Sequence, residues 1–206
     1  MSVIVLDDVI PKALQKTIAS TLLSPSFPLY WNAETVEFVE EENNPYLFWD
    51  SLTKDSPQLT HSVILDGNQT SEQWNLLRTI LFFVIAKTDI ELEVVRCKVN
   101  LTFPQRTFSD KEYYPPHIDT VQQANFTAIY YVNDSDGDTL FFEKPIQNKS
   151  DSPFVVKQVV TPKQGRLVFF DNKTVHCGAP PKETSARCVI NFNFRQGGDS
   201  HGRRDT

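Results

Sequence analysis

Tyr113-Tyr114-Pro115-Pro116-His117-Ile118-Asp119 is the stretch on which the reading of this chain turns. In a strand or its extended lead-in, residues i and i+2 point to the same side, so His117 and Asp119 present an imidazole and a carboxylate to one point. His176 supplies a third donor if the chain folds back, and Arg187 follows eleven residues later on a segment that reads as the next strand. Two histidines and one carboxylate form the facial donor set that holds Fe(II) and leaves other positions open, whereas a structural zinc site is closed by four ligands. Alone, a His-x-Asp triplet reads as a solvated turn. The order triplet, strand, Gly-bounded turn, strand, His, then Arg on a closing strand occurs once, and only His61, His117, His176 and His201 are available to build it.

Outward from the triplet, the flanks read as short strands. Val94 to Phe103 is β-branched and alternating, and 124–132, 138–142, 154–160, 166–170 and 186–194 are further strand candidates. The breaks between them are Asp134 to Asp138, Lys144 to Pro153 and Pro162 to Gly165. Seven or so short strands at this spacing indicate a sandwich or barrel. A jelly roll brings the start of an early strand beside a late one, as pairing His117 with His176 requires.

Ahead of this β region, Ser2 to Leu6 reads as a short buried strand. A helix starts near Asp8, with Pro11 in its first turn and Leu14, Ile18 and Leu22 as its core stripe. Thr35 to Val39 alternates as a strand, Glu40-Glu41-Glu42 reads as a solvated loop, and Phe48 and Trp49 read as packing residues in a connector. His61, beside Val63-Ile64-Leu65, reads as structural. Thr70 to Gln73 fits a capping box, opening a support helix with the stripe Trp74, Leu77, Leu81, Val84 and Ile85. The expectation is one domain over 1–196, mainly β with supporting N-terminal helices: 1–90 as support and 91–196 as a double-stranded β-helix. The tail 197–206, with His201, reads as disordered.

The bulk numbers agree with a single enzyme-sized core: 206 residues, 40% hydrophobic, 15 Phe. A net charge of −6 disfavours a bulk grip on nucleic-acid phosphates. Cys97, Cys177 and Cys188 lack disulfide-framework spacing and point to a reducing, cytoplasmic compartment. The N-terminus carries no secretory pattern, and the most apolar stretch, Leu76 to Ala86, is too short to span a bilayer. No phosphate loop or Gly-x-Ser-x-Gly elbow is present, which excludes nucleotide hydrolysis and serine esterase chemistry. Cys177 beside His176 leaves a mixed His/Cys zinc site as an alternative.

The segment from about Asn100 to Arg195 resembles the iron(II)- and 2-oxoglutarate-dependent oxygenases, the compact prolyl-hydroxylase-like branch in particular. The residues that carry it are His117-Ile118-Asp119, Thr127 to Asn133 (Thr-Ala-Ile-Tyr-Tyr-Val-Asn), Asp136 to Thr139, Pro162 to Phe170, His176 and Arg187. The first 90 residues match loosely. The resemblance implies a hydroxylase using Fe(II), 2-oxoglutarate and O2, with ascorbate as an accessory reductant. It makes His117, Asp119 and His176 the metal ligands, and Tyr131 the hydroxyl that shares the far carboxylate of 2-oxoglutarate with Arg187. Asn191, four residues past Arg187 on the same strand face, and Asn100 are candidate walls of that pocket. Related halogenases lack the carboxylate ligand, so Asp119 favours hydroxylation, or demethylation through a hydroxylated intermediate. Collagen-type prolyl hydroxylases have lysine where Arg187 stands, which argues against that subgroup. A peptidyl proline is the first substrate expected; a free amino acid or small metabolite is the alternative, and a non-catalytic jelly-roll binding module is the alternative outside enzymes. Loops Phe103 to Pro116 and Lys144 to Pro153 are the places for selectivity.

Overall fold

The computed structural model describes residues 2–36, 46–119, 124–145 and 147–197. The expected loop at Glu40 to Glu42 and residues 198–206 of the tail expected at 197–206, with His201, lie outside them; Gly197 is described, its N–H donating to the Glu91 carbonyl at 2.8 Å. Eleven strands and two helices are present among the described residues. In chain order they are β1 (Ile4–Leu6), α1 (Lys12–Leu22), β2 (Tyr30–Asn32), β3 (Gln58–Leu65), β4 (Asn68–Gln69), α2 (Trp74–Thr88), β5 (Leu92–Thr102) and β6 (Phe126–Tyr131). Then come β7 (Thr139–Phe142), β8 (Val156–Val160), β9 (Leu167–Asp171), β10 (His176–Gly178) and β11 (Arg187–Gln196).

All pairings between these strands are antiparallel. The larger sheet runs β1-β9-β6-β11-β5-β3-β2, with β4 on β3, and the smaller runs β10-β7-β8. Period-2 alternation sorts the larger sheet's side chains into two layers. On β6, Ala128 and Tyr130 face the helices, joining Ile18, Leu22, Leu77, Ile80, Val84, Phe169, Ile190 and Phe192 in the main core. Their neighbours Ile129 and Tyr131 face inward, packing with Phe141 and Val160 of the smaller sheet and with Val168, Phe170 and Val189. A third cluster, Phe48, Tyr113, Ile118, Phe142, Val175 and Cys177, fastens the 46–57 connector to the far side of the smaller sheet. Each fully buried side chain of this size contributes about 1.5–3 kcal/mol. This is the jelly roll expected from the strand spacing.

Several local expectations are corrected. Thr35 and Val36 form a bend rather than the start of a strand, while 37–39 lie outside the described residues. The cause is side-chain competition with the ladder: Thr35 N–H donates to Asp55 Oδ1 at 3.0 Å, and Gln58 Nε2 holds the carbonyls of Glu34 and Thr35. The strand on this edge is β2 instead. At α2 the capping box does not form. Thr70 donates its hydroxyl to the Ser62 carbonyl, and Ser71 Oγ accepts from Gln73 N–H. The buried line of α2 is Leu77, Ile80 and Val84, and the helix ends where Asp89 turns left-handed at φ 54°. His61 is structural as expected, bonded to the Pro28 carbonyl and Ser71 Oγ at 2.8 Å each. No helix among the described residues is long and apolar enough to cross a membrane.

Candidate active site

The site lies between the two sheets, at the end where 113–119 meets β10. Pro115 and Pro116 fix φ and lack N–H groups, so this segment is extended and donates backbone hydrogen bonds only from its non-proline positions, while the Pro116 carbonyl accepts from Phe48 N–H at 2.8 Å. Tyr114 N–H donates to the Gly178 carbonyl at 3.0 Å; His117 and His176 exchange both backbone hydrogen bonds, at 2.9 and 3.0 Å. That bridge sets the two imidazoles with centroids 4.7 Å apart. Asp119, two residues on, turns its carboxylate to the same point, and the candidate donor atoms of His117, Asp119 and His176 all lie within 4.8 Å of one another.

Each donor is held ready. His117 Nδ1 lies 3.0 Å from the Pro115 carbonyl, and His176 Nδ1 lies 3.0 Å from the Thr174 carbonyl. A carbonyl only accepts, so both Nδ1 atoms carry the proton and both Nε2 lone pairs are left for a metal. Asp119 Oδ2 accepts from Thr127 Oγ1 at 2.8 Å and from Asn193 Nδ2 at 2.9 Å, leaving Oδ1 to face the imidazoles, 3.9 Å from His117 Nε2. Burial works to raise the Asp119 pKa, but His176, His117, Arg96 and the Thr127 hydrogen bond outweigh it and bring it to about 2. Burial, reinforced by His117, pushes His176 down to about 4. At neutral pH the set is therefore one carboxylate with neutral imidazole at His176, the protonation state that ligates a divalent metal. Burial drives the Cys177 thiol well above its ordinary range, and Cys177 is not among the described donors that converge with His117, Asp119 and His176, which argues against the mixed His/Cys site.

Arg187 opens β11 and is 6% exposed. Its Nε donates to the Gly137 carbonyl and its Nη2 to Thr139 Oγ1, both at 2.8 Å, leaving other guanidinium N–H groups for an anion. Gly137 is a close-approach position: a Cβ there would lie 2.7 Å from the Ala179 carbonyl oxygen and 3.0 Å from Arg187 Cδ. Asp136 ties this turn to 182–184, accepting from Lys182 N–H, Glu183 N–H, Thr184 N–H and Thr184 Oγ1. Burial opposes ionisation of Asp136, yet the Thr184 hydroxyl and these amides hold its carboxyl well below the usual range.

Of the other expected residues, Asn191 and Asn100 line the cavity that joins the triad to Arg187, and the Oδ1 atom of each is buried without a partner among the described residues. Tyr114 lines it too. Tyr131 is placed otherwise: fully buried, it stands behind Thr139, to which its hydroxyl donates at 2.8 Å, with Arg187 5.9 Å above its ring and its side chain outside the cavity wall. Asn193 was not singled out in the sequence, and Thr127 and Thr139 stood there only as parts of quoted stretches, without the supporting roles they take here. Their signal was polar residues at alternate positions of otherwise apolar strands, where the inward face carries them.

This arrangement suits a divalent metal with three protein ligands on one side and a polar, cation-ended channel leading away from it. Residues 103–195 match the 2OG-Fe(II) oxygenase superfamily. No curated protein sequence matches the chain. Among solved structures, a Burkholderia pseudomallei oxidoreductase of the 2OG-Fe(II) oxygenase family is similar with a TM-score of 0.60 at 10% identity, over 94% of this chain and 84% of that one. A Pseudomonas putida prolyl-4-hydroxylase gives 0.55 at 15%, over 95% and 93%. The α-ketoglutarate-dependent epimerase SnoN of nogalamycin biosynthesis gives 0.57 at 15%, over 94% and 78%. At such identities the structural likeness speaks for the fold. Residues 103–195 carry a 2OG-Fe(II) oxygenase domain, and the chain is a 2-oxoglutarate-dependent dioxygenase.

Proposed function

We propose that His117, Asp119 and His176 hold Fe(II), that Arg187 anchors the far carboxylate of 2-oxoglutarate, and that the enzyme hydroxylates a C–H bond of its substrate. The observation that carries this is the convergence of the three donor atoms within 4.8 Å, with both Nδ1 protons spent on carbonyls. When bound, Fe(II) and 2-oxoglutarate supply the O2 activation that ends in hydroxylated product, succinate and carbon dioxide. The chain's own residues orient and balance charge. Thr127 and Asn193 fix the Asp119 carboxylate, so one oxygen is presented to the metal. Arg187 offers a planar fork suited to a carboxylate, stiffened by Gly137 and Thr139. Asn100 and Asn191 line the channel between metal and anchor, each with a buried Oδ1 that has no partner among the described residues. Tyr131 acts through Thr139, steadying the anchor rather than touching the co-substrate. A peptidyl proline is the first substrate to test, supported by the likeness to a prolyl-4-hydroxylase. Residues 1–196 act as one unit in this reading, with the helices backing the jelly roll.

The test needs no substrate. Anaerobic addition of Fe(II) and then 2-oxoglutarate is expected to produce the visible charge-transfer band of the chelate, absent in His176→Ala. A well-folded wild type without the band would turn the reading towards a binding module or a zinc site.

A further inference from the structure

On the cavity face of β5, the residues beyond Asn100 are cations. Alternation along that strand turns Arg96, Lys98, Asn100 and Thr102 to the cavity, and all four line it. Register fixes where each stands: Thr102 lies opposite Arg187, Lys98 opposite Asn191, and Arg96 opposite Asn193. Arg187 thus closes one end, while Arg96 and Lys98 stand at the other, beside the row that grips Asp119. Lys98 is 9% exposed. Arg96 makes no ion pair or hydrogen bond among the described residues, although its charge reaches Asp119.

Asp119 is the one carboxylate among the described residues that line the cavity. In the loaded site, the charges of Fe(II) and Arg187 are balanced by Asp119 and the two carboxylates of 2-oxoglutarate. Nothing in that set answers Arg96. A guanidinium on a partly enclosed wall, without a partner among the described residues, focuses a positive potential on the space left for the substrate, and its fork matches a carboxylate bidentately.

Resting on the function proposed above, we infer that the primary substrate carries a carboxylate, bound by Arg96 with Lys98 as the second cation of the subsite. The carboxylate comes either from a free amino acid or similar small acid, or from an acidic residue beside the target in a peptide. Arg96 and Lys98 are specificity residues and are not metal ligands.

The test uses the full-length Fe(II)-loaded protein and reads succinate formed from 2-oxoglutarate. The probes are the free L-amino acids and their C-terminal amides, and proline peptides with a flanking Asp or Glu against the same peptides with Asn or Gln. At least one carboxylate series is expected to stimulate turnover tenfold or more over its amide series; which series does so identifies the source. In Arg96→Gln and Lys98→Gln, kcat/KM for that series should fall tenfold or more, mostly through KM, while the anaerobic chelate band persists. Equal stimulation by the amides would overturn the inference, as would no stimulation by any carboxylate in protein that forms the band. If Arg96 served only Asp119, Arg96→Gln would alter the band and affect charged and neutral probes alike, which also overturns it. Absence of the band from wild type would strike the metal-site reading itself.

Discussion

Replacing Thr127 with valine removes one hydroxyl and leaves the rest of the site in place. Thr127 is fully buried; its hydroxyl donates to Asp119 Oδ2 at 2.8 Å and accepts from Asn193 Nδ2 at 3.0 Å. In Thr127→Val the carboxylate keeps Asn193 but loses a charge-assisted hydrogen bond, a loss of about 1.5–3 kcal/mol. Loss of such a supporting contact behind a metal ligand weakens metal binding by roughly 10–100-fold, about 1.4–2.7 kcal/mol on the same scale. The two estimates agree because both measure how firmly Asp119 is held. Anaerobic Fe(II) titration in saturating 2-oxoglutarate, followed by the chelate band, reads the affinity directly. Asn193→Ala should act in the same direction, and the double variant should cost less than the sum, since the two side chains serve one oxygen. An affinity within roughly threefold of wild type, under 1 kcal/mol, in a folded Thr127→Val protein would refute the claim that this pair orients the ligand.

Other consequences follow from the anchor, the turn beneath it and the buried imidazole. Arg187→Ala should raise the KM for 2-oxoglutarate by roughly 10–150-fold, from a lost charged hydrogen bond of about 1.5–3 kcal/mol; an unchanged KM would move the anchor elsewhere. Gly137→Ala should raise the same KM with little effect on metal affinity, because the new Cβ presses on Arg187 Cδ and the Ala179 carbonyl. Asp136→Asn should lower stability by about 1–3 kcal/mol, seen as a lower Tm, because the 182–184 turn loses its anionic acceptor. The metal-free protein should lose stability as pH falls from about 6.5 towards 4. With the His176 pKa depressed to about 4, the unfolded chain binds a proton in that window that the folded chain refuses, so stability rises with pH there. The effect is on the order of 3 kcal/mol, and a flat urea-unfolding free energy across the window would count against a buried neutral His176.

The strands that were easiest to read are those buried on both faces. β5, β6, β7, β9 and β11 are runs rich in β-branched and aromatic residues bounded by Gly, Pro or Asp, and they fall within two residues of expectation. The three-residue strands β2 and β10 were not legible, because so short a run has no periodicity; β10 exists because His176 pairs with His117 and Phe141, which is a tertiary fact. The convergence of His117, Asp119 and His176 on a cavity shared with Arg187 was legible because i, i+2 spacing and strand order carry it. Tyr131 was expected in the co-substrate pocket, since its strand position gives the facing side correctly; depth is another matter, and Thr139 from the opposite sheet intervenes. Thr127, Asn193, Arg96 and Lys98 hide as ordinary polar residues until register sets them across from one another.

The proposed anchor and the support of the proposed metal ligand share one strand. Arg187, Val189, Asn191 and Asn193 are successive inward positions of β11, so the span between Asp119's clamp and the guanidinium is counted in backbone repeats. Such positions recur every ~6.6–6.8 Å, far coarser than the methylene by which one 2-oxo diacid differs from the next. The strand therefore acts as a fixed gauge, with the last fraction of length set by the Arg187 side chain braced on Gly137 and Thr139. Drift towards a shorter or longer co-substrate would have to pass through that brace, since sliding the strand by one residue would turn every one of these side chains to the opposite face.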